Sequence, residues 1–149
     1  MKAQSPGSWG GIGFKMFILV RKVLLMALVV FFGAFASVGA QELIISELMA
    51  VNNGTIEDED GNTPDWIEFF NAGDAVQNLS GYFLSDDPLV PQKWRFPSVT
   101  INPGGFLVVF ASDKDRRDAG SELHTNFKLS STGEFLGLFA PDGETIVDQ

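Results

Sequence analysis

Apolar positions in this chain fall into short runs, and turn residues break them at roughly ten-residue intervals. The first extended run is "LIISELMAV" (43–51). "DWIEFFN" (65–71) sets Trp66, Glu68 and Phe70 on one side of an alternating strand and Ile67 and Phe69 on the other. Because Glu68 shares a face with Trp66 and Phe70, the pattern predicts that Ile67 and Phe69 point into the core. "NAGDAVQN" then reads as a turn-rich linker, followed by "LSGYFLSD" (79–86), "KWRFP" (93–97) and the nearly unbroken strand "FLVVFAS" (106–112). Pro103, Gly104 and Gly105 mark a turn before that strand. "HTNFKLS" and "EFLGLFAP" are parted by Ser131, Thr132 and Gly133, and "PDGE" (141–144) turns the chain into "TIVDQ". Beyond residue 40 no stretch sustains helical periodicity with caps. Seven or eight strands with frequent turns predict an all-β sandwich or barrel. Fourteen Phe and three Trp suit two facing sheets that enclose a core about 10 Å thick.

The first 40 residues follow another rule. "VLLMALVVFFGAFASVGA" (23–40) is eighteen residues without a charge, preceded by Lys15, Arg21 and Lys22. It ends in small residues, with Val38 and Ala40 placed as in an A-x-A-type cleavage site. This order predicts a helical secretory signal peptide over 1–40 and a mature domain over 41–149 that begins at Gln41. A start at Met16 would bring the signal within the usual length of about 15–30 residues. The competing reading is an uncleaved membrane anchor, since eighteen apolar residues can just span a bilayer.

Export changes the charge balance. Lys2, Lys15, Arg21 and Lys22 leave with the signal and no acid does, so the remaining domain carries six basic residues against nineteen acidic ones, a formal charge of −13. That bias opposes nucleic-acid binding, which sets Lys and Arg against phosphate. It suits solubility outside the cell, cations or a basic partner. The chain has no cysteine, so the core must hold by burial alone, and thiol nucleophiles, Cys-based zinc sites and a lipidated Cys are all excluded.

The densest chemistry lies in "EDEDGNTPD" (57–65). Asp58, Asp60 and Asp65 around Gly61 offer oxygens of the kind calcium takes, with Asp86 and Asp87 of "LSDD" as further ligands if the fold brings them near. The spacing is not that of an EF-hand, since Gly61 follows Asp60 directly. The plainer reading is a solvated turn, because Asp, Asn and Gly favour loops for backbone reasons. Glu47 and Glu68 form a candidate carboxylate pair, or point outward from their strands. His124 is the only histidine; a triad with Ser130 or Ser131 lacks any G-x-S-x-G elbow, and the ring is expected to be hydrogen-bonded at a sheet end. Asn53 and Asn78 begin N-x-S/T sequons. Tyr82 and Trp94 are candidate carbohydrate-stacking aromatics, or core. "SDKDRRDAGSE" (112–122) reads as a charged surface loop.

"IISELMAVN", an acidic loop, "DWIEFFNAGDAVQNLSGYFLSDD", "KWRFPSVTINPGGFLVVFASDKDR" and "LHTNFKLSSTGEFLGLFAPDGETIVD" together resemble the bacterial lamin-tail domain, from about Leu43 to Gln149. The resemblance implies an immunoglobulin-like β-sandwich, export, and a role in binding or attachment. It brings no catalytic residues, so no catalytic or cofactor-binding residue is expected. It also implies that such domains sit beside hydrolase, nuclease or spore-coat kinase-like domains. The expected function is thus a non-enzymatic exported module whose partner is a protein or cell-surface polymer, with no nucleic acid and with membrane contact only through an uncleaved signal. The alternative is the N-terminal accessory piece of a larger secreted enzyme. Lamin-tail domains usually continue beyond a strand such as "TIVDQ", so the resemblance also implies a domain truncated at its C-terminal end.

Overall fold

The computed structural model describes residues 42–149. The expected signal peptide over 1–40, with its second start at Met16, lies outside the described residues. Ten strands make up the regular structure, and there is no helix among the described residues. They are β1 (Leu43–Met49), β2 (Asp65–Asn71), β3 (Gln77–Asn78), β4 (Phe83–Ser85), β5 (Trp94–Arg95), β6 (Thr100–Ile101), β7 (Phe106–Ala111), β8 (Leu123–His124), β9 (Gly137–Phe139) and β10 (Ile146–Asp148). One four-stranded sheet runs β1-β2-β7-β8, a second runs β10-β9-β4-β5, and β3 pairs with β6 as a small third. The architecture is an immunoglobulin-like β-sandwich.

Register explains which side chains meet. In the first sheet Ile45, Phe69 and Leu107 lie opposite one another across β1, β2 and β7, as do Ile67, Val109 and Leu123 across β2, β7 and β8. These inward positions join Leu84, Trp94 and Leu138 of the second sheet in one core, with Ile101 from β6 and Leu79, Phe96 and Phe127 from the connections. The Phe96 ring meets Phe69 edge-on at 5.4 Å and Trp94 edge-on at 4.8 Å. Ile67 and Phe69 are fully buried, as the alternation predicts.

The outward set on the same strands is Ile44, Phe70 and Phe106, then Glu47, Glu68 and Val108, then Met49, Trp66, Phe110 and His124. Alternation alone would leave all of these wet. Instead Trp66 and Phe110 are buried at 6% and 4% exposure and His124 at 0%. Both faces of this sheet are therefore covered at one end, and what covers the outer face there is the site described below.

Several strands are shorter than the apolar runs that predict them. Of 79–86 only Phe83–Ser85 is strand, because Gly81 adopts φ +84° and the Tyr82 amide closes a turn onto the Leu79 carbonyl at 3.0 Å. Of "HTNFKLS" only His124 lies in a strand, β8, which runs parallel to β7. The linker "NAGDAVQN" ends in β3, whose two residues pair with Thr100 and Ile101. At the far end β10 pairs with β9, and Asp148 Oδ2 accepts the Ile45 amide of β1 at 2.7 Å, which ties the edges of the two large sheets together.

Candidate functional site

The loop between β1 and β2 is ordered by two side chains that replace missing backbone partners. Asn52 donates to the Ile56 and Pro64 carbonyls at 2.7 and 2.9 Å and accepts the Thr55 amide at 2.8 Å. Asp58, its side chain sealed from solvent, accepts the Asn62 and Asp60 amides on Oδ1 at 2.9 and 3.1 Å. Gly61 turns the chain at φ +75°, which a side chain would resist, and its amide donates to the Asp58 carbonyl at 2.8 Å.

The second loop, 112–122, supplies the opposite charge. Asp113 and Asp115 both adopt left-handed backbone, at φ 65° and 52°, a conformation that Asp tolerates better than most residues. Their amides donate to the Phe127 and Thr125 carbonyls at 3.2 and 3.0 Å. Held this way, the loop aims Lys114 and Arg116 at the acids. Lys114 Nζ donates to Asp58 Oδ2 and, at 2.7 Å, to Asp60 Oδ2. Arg116 donates to Glu59 Oε1 and, at 2.7 Å, to Asp60 Oδ2.

His124 closes the arrangement from the sheet. Its ring stacks on Phe110, with centroids 5.2 Å apart. Nδ1 lies 2.8 Å from Ser112 Oγ, and Nε2 lies 2.9 Å from Glu59 Oε2. Glu122 accepts the Glu59 amide at 2.7 Å. Two loops distant in sequence are thus pinned to His124 and, through its stacked ring, to Phe110.

The electrostatics follow from these contacts. Burial pushes the Asp58 carboxyl up, but Lys114 and the Asn62 and Asp60 amides together hold it below the usual range. Asp60 is held low by Lys114 and then Arg116. The Glu59 and Glu122 carboxyls lie close together, and their proximity moves them in opposite directions: Glu59 is lowered by Glu122 and then His124, while Glu122 is raised by Glu59 and by burial. The acids in turn raise Lys114 and Arg116.

Of the residues expected to take calcium, Asp58 and Asp60 are brought together, but with a lysine ammonium between them. Asp65 opens β2 and lines a cleft of about 590 Å³ with Ser112, Lys114 and Lys128. Among the described residues the metal-capable side chains that do converge are Glu59, Glu122 and His124, with one ligand atom from each within 4.8 Å of the others. Asp86 pairs with Lys93 at 2.5 Å, and Asp87 closes its own turn onto the Leu89 amide. Glu47 and Glu68 face each other across β1 and β2 on the outer face, where Ser46 Oγ donates to Glu68 Oε1 at 2.7 Å. Ser130 lies 2.8 Å from Thr132 rather than on His124, whose hydroxyl partner is Ser112. Trp94 is fully buried. Asn78 accepts the Ser80 amide at 2.9 Å.

Reading single motifs misses Ser112, Lys114, Arg116 and Glu122. The available signal is the acidic run of 57–60, four acids with no base beside them, and a later segment, 112–122, that holds three of the six bases beyond residue 40.

A family model described as Lamin Tail Domain matches residues 37–149. No curated protein matches the chain.

Proposed function

The chain belongs to the lamin tail domain family, and on that premise we propose that it is a non-enzymatic binding or attachment module that works outside the cytoplasm. One observation carries the reading: the most reactive side chains of the domain are spent on one another. His124 is fully buried, and its two nitrogens face Ser112 and Glu59. Lys114 and Arg116 are committed to Asp58, Glu59 and Asp60. A general base must reach a substrate proton, directly or through one water, and a sealed imidazole fastening two loops is poorly placed to do so. The same bonds make a rigid surface, as an attachment module requires. With six bases against nineteen acids beyond residue 40, the partner is a protein or cell-surface polymer rather than a nucleic acid.

Co-sedimentation of the purified full-length protein with an envelope preparation from the cells that make it tests this reading. A panel of ester, peptide and phosphodiester substrates is assayed in parallel. Retention in the pellet without turnover is expected. A protein that stays in the supernatant, or that hydrolyses any of the substrates, overturns the reading.

A further inference from the structure

We propose that Glu59, Glu122 and His124 form a site for one divalent first-row transition metal, of which zinc is the natural probe.

The first support is how each ligand is held. His124 keeps Nδ1 on Ser112 Oγ at 2.8 Å, the kind of outer contact that fixes the ring orientation of a metal-binding histidine, and turns Nε2 to the carboxylates. Glu59 gives Oε1 to Arg116, while Oε2 is the oxygen nearest His124. Glu122 gives Oε2 to the Glu59 amide, leaving its other oxygen for an ion. The Nε2 to Oε2 separation of 2.9 Å needs to open by only a few tenths of an ångström to reach the roughly 3.3 Å between neighbouring ligand atoms of a tetrahedral zinc that each sit about 2.0–2.1 Å from the ion.

Charge is the second support. Asp58, Glu59, Asp60 and Glu122 are four acids in one cluster, and Lys114 and Arg116 are the two cations bonded within it. A doubly charged ion supplies the two positive charges that the cluster lacks. The ion-pair network leaves the shortfall at Glu59 and Glu122, where one carboxylate oxygen from each and a ring nitrogen of His124 lie within 4.8 Å of one another.

Third, the place is reachable. Glu59 and Glu122 line an open cleft of about 520 Å³ together with Leu107, Val108 and Leu123, so an ion can meet both carboxylates from solvent and then take the buried His124 Nε2, which lies outside that cleft, from Glu59. One imidazole with two carboxylates suits a borderline ion such as zinc or cobalt better than calcium, which prefers an all-oxygen shell. This site is separate from the calcium reading of Asp58, Asp60 and Asp65.

Native mass spectrometry and thermal melting of the full-length protein, with zinc chloride as the only added ligand, test the proposal. One bound zinc per chain and a rise in Tm are expected. Glu122→Gln keeps the side-chain size and an oxygen for the Glu59 amide, sits on an exposed side chain, and should weaken zinc binding at least about tenfold. Ser112→Ala should weaken it by roughly 10–100-fold by freeing the imidazole. Calcium at the same concentration should leave Tm unchanged. Absence of bound zinc in the wild-type protein, or zinc binding by Glu122→Gln equal to wild type, overturns the proposal.

Discussion

Phe69 has no exposed surface, whereas Phe70, one position on, lies on the outer face stacked against Phe106 at 4.7 Å. Truncating a buried Phe to Ala removes its transfer free energy and leaves a cavity, at a cost of about 3–5 kcal/mol. Phe69→Ala is therefore expected to lower stability by that amount and Phe70→Ala by clearly less, read from urea midpoints at constant m-value. The period-2 pattern of "DWIEFFN" was enough to separate these two residues, because sheet geometry sends neighbours to opposite faces. The same pattern misjudges Trp66, which faces outward yet is 6% exposed. Periodicity assigns a side chain to a face and says nothing of what lies over that face. The terminal Asn71 of that strand shows a similar limit. It is fully buried and donates to the Ala75 and Ile101 carbonyls at 2.8 and 2.9 Å, a role fixed by a turn and by a strand thirty residues away.

For the acidic loop the governing quantity is the balance between burying Asp58 and pairing it. Lys114→Met leaves that carboxylate sealed with only its amide donors, an expected loss of roughly 1–3 kcal/mol by thermal or urea melting. The pH dependence follows from the directions of the shifts. Asp58 and Asp60 are lowered in the folded chain, so their contribution is present above the ordinary Asp value near 3.9 and is lost as pH falls through their lower folded values. Glu122 is raised, so its contribution has the opposite sign: complete below its ordinary value near 4.3 and lost as pH rises through the folded one. Stability should therefore fall steeply only below about pH 4, as the Lys114 anchors are lost. Amide exchange at Asp60 and Asn62, whose hydrogens rest on Asp58 Oδ1, should accelerate in that window ahead of exchange in β2. Simultaneous loss of protection in loop and strand would show that the loop is not an independent unit. At this scale the sequence displays the acidic run and the mixed-charge segment 112–122 plainly. Their mutual attachment is hidden because a fold, not a spacing, brings Lys114 to Asp58.

Across the whole domain, one core joins both large sheets without any disulfide, and Phe96 touches an aromatic from each of them. Neither sheet has a separate apolar interior to retain, so both should melt together. In Trp66→Phe and in Trp94→Phe the remaining domain tryptophan reports on a different sheet. Fluorescence and circular dichroism should trace one coincident transition in each variant. Midpoints that separate by sheet would contradict a shared core. The strand-rich sandwich was legible from run length and turn spacing, while the small β3–β6 pair and the parallel β8 were not, since two-residue strands carry no periodicity. The imidazole stacked beneath the two loops has a wider consequence. Ser112 lines one cleft and Glu59 another, and His124 touches both. An imidazole that carries its single hydrogen on one nitrogen must present a lone pair from the other. Glu59, held below the usual carboxylate range, can only accept, so Nε2 carries the hydrogen and Nδ1 takes one from the Ser112 hydroxyl: across the thickness of one ring, the charge in one cleft sets the direction of a hydroxyl in the other.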